Sequence, residues 1–534
     1  MLICQKSHFA LPPGVHYLNC AYMAPLAHAV RSAGIAGIDR RATPHLIRPR
    51  DFFEESDVVR SLFSRIVNAP DPNRIAIVPS VSYGLATVAR NVRATAGDNI
   101  VVLEEQFPSN VYAWRRLCAE QGLTLRTVAS PPHQHSGRAV EWNARVLTAI
   151  DRRTAVVALP QVHWTDGTLF DLERVGQRAR ECRALFVVDG TQSVGALPFD
   201  TRRIQPDALI CAGYKWLLGP YSTGLAYYGR AFDDGTPLEE GWITRRDSEN
   251  FADLVRYRDD YQGAAIRYDV GERSNFTLLP MLAAALELVL QWTVPAIQDY
   301  CRSVSTEVTQ TLRERGYWIE EDEWRAPHLF GLRPPDAGSI ATLSDRLAAR
   351  DVAVSLRGDA IRVSPHLYND SGDIEALVDA LALYRGLLRP GTGRHAARRT
   401  QRLSAPERAA GAQVEPVAGS KKIESAAGIQ LARAVVDGHI AAPDDLELVA
   451  AHDNRSVFVD PYSQQLGVRL NHADEVELTI ASQEVLIDGG VAQETETDDV
   501  VAHHDGVGGR VAPREIRTQN RRSSRGAAHH APAA

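Results

Sequence analysis

Short apolar runs alternate with stretches of helical spacing through the first 390 residues. IAIVPS (75–80), NIVVLEEQF (99–107), LTLRTVA (123–129), TAVVALPQ (154–161), ALFVV (184–188) and ALIC (208–211) are each too short for a helix. They read as strands, the last two buried on both faces. Between and before them, EESDVVRSLFSRIV (54–67), SVSYGLATVARNV (80–92), SNVYAWRRLCAEQG (109–122), EWNARVLTAI (141–150) and LERVGQRARECR (172–183) carry the helical period. Strands separated by helices of this length predict an α/β fold, a mainly parallel sheet sandwiched by helices. From MLAAALELVLQW (281–292) a helix begins that resumes after Pro295 and runs to Arg315. Short strands, a helix near LSDRLAARD (343–351), the turn SLRGDAIRVS and a helix at IEALVDALALYRGLL (374–388) follow. They predict a smaller α+β domain. The expected organisation is an N-terminal arm (1–30), a large domain (31–280), a small domain (281–390) and an extension (391–534).

The extension departs in composition. It holds two aromatics, Phe458 and Tyr462, and no Trp, Cys or Met, so it lacks the residues for a core like the one upstream. Leu446 to Ile487 alternates like short strands; the rest reads as largely disordered. His503, His504 and Asp505 have no third ligand at metal spacing and read as solvated tail.

The net charge of -7 over 534 residues argues against a nucleic-acid or membrane-surface partner. The apolar stretch Leu278–Trp292 contains Glu287 and Gln291 and is too short to span a bilayer. MLICQKSHFALPPG lacks the apolar core of a signal peptide. Six cysteines lie scattered without CxxC spacing, as in a reduced, cytoplasmic protein with no metal site.

Two residues change the picture from architecture to chemistry. Asp189 directly follows one apolar run and Lys215 stands just beyond the next. In open α/β sheets ligands sit outside the carboxyl ends of the strands, so the two should face one crevice. A carboxylate and a lysine there suit pyridoxal 5'-phosphate (PLP), which takes an amine as a Schiff base and an anion at its ring nitrogen. Of 59 lysines and arginines only four are lysines, Lys6, Lys215, Lys421 and Lys422. Arginine stays protonated and cannot replace an imine-forming amine. The serines opening the 80–92 helix can cap it, and the same N-terminus can receive a phosphate.

With these residues in place, the chain resembles the class V aminotransferase family of PLP enzymes of fold type I, over about residues 15–388. Cysteine desulfurases, selenocysteine lyases and isopenicillin N epimerase belong to it. VVDGTQ matches the family's DGAQ motif, which implies that Asp189 partners the ring nitrogen and Gln192 the phenolic oxygen. CAGYKW matches the Schiff-base motif, with Lys215 as its lysine, Tyr214 in place of the histidine that reaches the phosphate, and Ala212 where a serine is usual. PSVSYG matches the phosphate loop, with Val81 and Ser82. LEEQFPSN places Phe107 where a residue stacks on the ring, and PQVHWTDGT places His163 and Trp164 at the cavity wall. DVGERSNF implies that Asn275 reaches the phosphate of a partner subunit, hence a homodimer. RVSPHLYND implies that Arg362 grips the substrate carboxylate, with Arg357 as a second partner.

The interval between Arg357 and Arg362 is too short for the loop that carries the desulfurases' cysteine, and no cysteine follows Cys301. The expectation is therefore a cytoplasmic PLP enzyme acting on an α-amino acid or derivative, with Lys215, Asp189 and His163 catalytic and aminotransferase-type chemistry. A thiol-independent C–S lyase or an epimerase is the enzymatic alternative. A PLP-fold regulator is disfavoured, since nothing before residue 54 has room for a DNA-reading helix. Tyr22, Trp164, Tyr221 and Arg267 are the expected specificity-setting walls.

Overall fold

Alternate residues of the apolar strands fall into two separate cores, which is how a sheet covered on both faces must divide its side chains. The computed structural model describes residues 2–336 and 340–382 and, beyond them, short strand segments between 421 and 502. Seven strands form the main sheet: β1 (Ile75–Val78), β2 (Asn99–Leu103), β3 (Thr124–Val128), β4 (Thr154–Pro160), β5 (Leu185–Asp189), β6 (Ala208–Ala212) and β7 (Gly224–Tyr228). Their order is β1-β7-β6-β5-β4-β2-β3. All run parallel except β7, which is antiparallel to both β1 and β6. Val101, Leu103, Val157, Leu159 and Val188 point into one core, and Ile100, Val102, Val156, Ala158 and Val187 into the other. Each such aliphatic side chain contributes about 1.5–3 kcal/mol when fully buried.

Helices α1 (His28–Ala42), α2 (Asp51–Ile66), α3 (Val81–Asn91), α4 (Ser109–Gln121), α5 (Arg138–Ala149) and α6 (Leu172–Cys182) surround the sheet. They match the helices read from the sequence to within a few residues, apart from α1, which lies in a stretch assigned no element. The long apolar helix is α7 (Leu278–Trp292), against which α1 and α2 pack. Thr293, at φ +64°, breaks it from α8 (Val294–Glu314), bent by 72°. Pro295 stands in the first turn of α8, where its missing N–H costs nothing. Among the described residues no single helix is long and apolar enough to cross a membrane.

The smaller sheet is antiparallel: β8 (Phe330–Leu332) and β9 (Ser355–Arg357) flank β10 (Ala360–Val363). Helices α9 (Ile340–Ala348) and α10 (Ser371–Ala382) accompany it, and Phe330, Leu332, Ile361, Val363, Leu343 and Leu377 close its core. The N-terminal stretch is stitched into these parts. His16–Tyr17 pairs in parallel with Val352–Ala353, and the Ala24 N–H donates to the Tyr214 carbonyl at 2.9 Å.

The chain divides into compact units Met1–Gly393 and Arg394–Ala534. Within the second unit, Lys421–Ile423, Val476–Leu478, Val468–Leu470, Ser456–Val457 and Ala450–Ala451 pair in that order as antiparallel strands. Val485–Ile487, Gly490–Glu494 and Val500–Ala502 form a second, three-stranded sheet. Within the stretch Leu446 to Ile487 the described residues are strand segments, while His503, His504 and Asp505 lie outside the described residues.

Candidate active site

β5 and β6 end side by side, and the residues leaving them line a cavity of about 290 Å³. Asp189 is the last residue of β5 and Ala212 the last of β6; Tyr214 and Lys215 follow β6. The N-terminus of α3 forms a further wall, because Gly84 lets that helix lie on β6: a Cβ there would come within 2.8 Å of the Ile210 side chain. Ser80 caps α3 by accepting from the Tyr83 N–H at 3.1 Å, and Ser80, Val81 and Ser82 all line the cavity. Ser82 Oγ donates to Ser109 Oγ at 3.0 Å.

Lys215 is 6% exposed, and its amine lies 5.6 Å from the Phe107 ring centroid and 5.6 Å from that of Tyr214. Burial, helped by the positive charges of Arg362 and Arg357 and opposed by Asp189, brings its pKa down to about 7. Asp189 is also buried, and burial raises its pKa even though the Thr191 N–H donates to Oδ1 at 3.0 Å. A substantial share of the amine is therefore neutral near physiological pH, the state in which it is nucleophilic and basic. Phe107 is 37% exposed and meets Trp164 edge to face at 5.3 Å, so its ring borders open space and is not core. Trp164 is held by its indole N–H on the Glu105 carbonyl at 2.6 Å.

The structure thus gathers Val81, Ser82, Phe107, Trp164, Asp189, Gln192, Tyr214 and Lys215, with Tyr221, around one cavity. Arg362 stands behind Trp164, outside the lining, and donates to its carbonyl at 3.1 Å. It is 1% exposed, its Nε and Nη2 have no partner, and burial plus Arg357 lowers its pKa to about 9. Arg357 stacks on the Trp164 ring at 5.6 Å.

Like Arg362 and Arg357, His163 and Asn275 do not line the cavity; Asn275 was expected at the phosphate of a partner subunit. His163 is wholly buried beside Trp142, with ring centroids 5.0 Å apart. Its Nδ1 is occupied by Thr165 Oγ1 at 2.9 Å and lies 3.4 Å from Asp166. That carboxylate belongs to a buried ion cluster with Arg138, Arg333 and Glu320, so His163 is drawn into a structural network and does not line the cavity. Asn275 is exposed and caps α7, accepting from the N–H groups of Thr277 and Leu278. Tyr22 and Arg267 are likewise outside the lining.

The cavity also contains residues the pattern reading overlooked: Thr191, Gln106, Ser109, Ser222 and Thr223. Ser222 and Thr223 were hidden because β7 was. Running antiparallel, β7 starts where the parallel strands end, with Gly224 opposite Ala212 and Val78. Its leading YST segment is thereby brought to the site. Gly213 is required there, since a Cβ would lie 2.6 Å from Thr223 Oγ1. The run GLAYY bounded by glycine was the available signal.

The family model Aminotransferase class-V matches residues 48–327. Isopenicillin N epimerase of Amycolatopsis lactamdurans is 28% identical over 401 residues, covering 70% of this chain and 96% of that protein. A probable cysteine desulfurase of Methanothermobacter thermautotrophicus is 25% identical over 61% of this chain and 83% of its own length. Among solved structures, the apo cysteine desulfurase of Thermococcus onnurineus aligns with a TM-score of 0.62 over 72% of this chain and 100% of that one. At 19% identity, that likeness is one of fold.

Proposed function

The chain belongs to the aminotransferase class-V family, whose members are PLP-dependent enzymes, and we propose that it acts on an α-amino acid or close derivative by aminotransferase-type chemistry centred on Lys215. The observation that carries this reading is a buried amine with a pKa of about 7 sharing one cavity with a buried carboxyl group.

The residues present fit the cofactor. A primary amine, a carboxyl group, an aromatic face and a helix N-terminus with two serines border the same space. Bound PLP supplies an aldehyde that condenses with amines and a ring that takes up negative charge from the amino-acid α-carbon. Lys215 would hold it covalently, Asp189 would accept from its ring nitrogen, and Phe107 would cover its face. Val81 and Ser82 at the start of α3, with Tyr214, would receive the phosphate.

The Lys215 amine, when free and neutral, would take the substrate α-proton as general base, and the ammonium so formed would return it as general acid. Arg362 would hold the substrate carboxylate, its two free nitrogens matching a bidentate contact. Arg357 and Trp164 would complete that wall. Among the residues lining the cavity, the titratable groups are Asp189, Tyr214, Lys215 and Tyr221, and burial raises the pKa of Tyr214. Lys215 is thus the group suited to proton transfer near neutral pH. A single base that removes and replaces the proton supports transamination or elimination over two-base epimerisation.

A desulfurase nucleophile is disfavoured. Arg357 and Ala360 face each other across the tight β9–β10 turn, which leaves no loop for a thiol. Cys20, 4.0 Å from the Lys215 carbonyl, is fully buried and its pKa is pushed up to about 12. Assembly as a homodimer in the cytoplasm completes the reading, with the exposed Ile35 and Ile38 of α1 as candidate interface residues.

The test is a panel of amino acids added singly to the PLP-loaded protein, with keto acid and ammonia measured. Transamination gives keto acid beyond one equivalent per site only when an acceptor keto acid is present. Ammonia release without an acceptor points to elimination, and loss of an α-deuteron without net turnover points to epimerisation. No spectral change and no product across the panel would refute amino-acid chemistry.

A further inference from the structure

We infer that Trp216 and His328 are positioning residues that hold the Gln192 carboxamide with an N–H turned to the cavity, and so set the pH at which the visible band of bound PLP converts. The inference rests on the PLP reading of the site and extends it to two residues that do not line the cavity.

The orientation of Gln192 follows from its partners. An indole N–H can only donate, so the carboxamide atom 2.9 Å from Trp216 Nε1 is the oxygen. A backbone carbonyl can only accept, so the atom 3.2 Å from the Ala21 carbonyl is Nε2. The two requirements agree. One N–H of the amide is therefore given to Ala21, and the other is left for the cavity that Gln192 lines. The backbone is pinned too, because His328 Nε2 lies 2.8 Å from the Gln192 carbonyl and must donate to it. Burial lowers the His328 pKa to about 4, so the ring is neutral with its proton on Nε2. His328 also meets Trp216 edge to face at 4.4 Å, and both are fully buried. His366, 5.8 Å from Trp216, is kept neutral in the same way, its pKa lowered to about 3.

A donor facing the anionic phenolic oxygen of PLP stabilises that charge and weakens the oxygen's hold on the proton of the neighbouring lysine linkage. An amide oxygen turned the same way does the reverse. Trp216→Phe removes the indole donor, leaves the Gln192 oxygen unpaired and frees the amide to turn. The charged and titratable groups facing Lys215 are Asp189 from β5, Arg362 and Arg357 from the β9–β10 hairpin, Cys20 from the N-terminal stretch and neighbouring Tyr214. None is altered by this change.

The experiment is a pH titration of the visible spectrum of the full-length, PLP-loaded protein. For Trp216→Phe the midpoint should rise by about one pH unit, a tenfold change in proton affinity. His328→Phe, which keeps a ring but loses the donor to the Gln192 carbonyl, should shift it the same way by less. In a Gln192→Leu background, Trp216→Phe should add nothing, because the residue it acts through is gone. Unmoved midpoints in both single variants at full PLP loading, or an additive shift in the Gln192→Leu background, would overturn the inference. A wild-type protein without a visible band would instead remove the underlying reading of the site, and this inference with it.

Discussion

Replacing Lys215 by Met should stabilise the cofactor-free protein, and by an amount that depends on pH in one direction only. The side chain is 6% exposed, and folding lowers its pKa from 10.5 to about 7. Below that lowered value both folded and unfolded chains carry the proton, and the fold bears the full cost of burying it, about 5 kcal/mol as an upper bound. Between the two values the unfolded chain keeps its proton while the folded chain has released it, so the cost shrinks as pH rises. The stability gap between Lys215→Met and wild type should accordingly fall from about 4 kcal/mol near pH ~7 to about 1 kcal/mol near pH ~10. Urea unfolding followed by tryptophan fluorescence measures it, since all eight tryptophans lie within the first unit. A gap that is equal at the two pH values would mean that the amine has an ordinary pKa and is not the buried neutral base described here.

Asp189→Asn should weaken PLP binding about 10- to 100-fold, the equivalent of losing one charge-assisted hydrogen bond, as read from spectral titration with PLP. Arg362→Met should raise KM for the amino acid about 10- to 100-fold while leaving PLP affinity nearly unchanged; equal losses in both would contradict a role at the substrate carboxylate. Asp166→Asn should destabilise the fold by about 3–5 kcal/mol, because it strips a buried carboxylate from Arg138 and Arg333. Burial opposes ionisation of Asp166, but His163, Arg138 and Arg333 outweigh it and hold the pKa well below the usual carboxylate range. That contribution is present at neutral pH, persists into mild acid, and is lost only as pH falls through the lowered value.

The layered architecture was legible because buried parallel strands write themselves as short apolar runs and the intervening helices as amphipathic ones. The position of Asp189 and Lys215 followed from the rule that ligands sit at strand carboxyl ends, and both line the cavity. Three things escaped that logic. β7 is a five-residue strand bounded by glycine, and without it Ser222 and Thr223 had no route to the site. α1 has its apolar residues distributed around the helix, with Val30 buried but Ile35 and Ile38 exposed, so periodicity gave no signal. The pull of Asp166 on His163, and the grip of Trp216 and His328 on Gln192, join residues far apart in sequence. No local pattern records such pairings.

The central claim is that one amine in this chain is built to carry PLP. Borohydride reduction of the PLP-loaded protein, followed by peptide mass mapping, tests it directly, since the only side-chain amines that can take the label are those of Lys6, Lys215, Lys421 and Lys422. The account predicts a pyridoxyl group on Lys215 alone and no visible band in Lys215→Ala. A label on any of the other three in place of Lys215, or none at all, would contradict it.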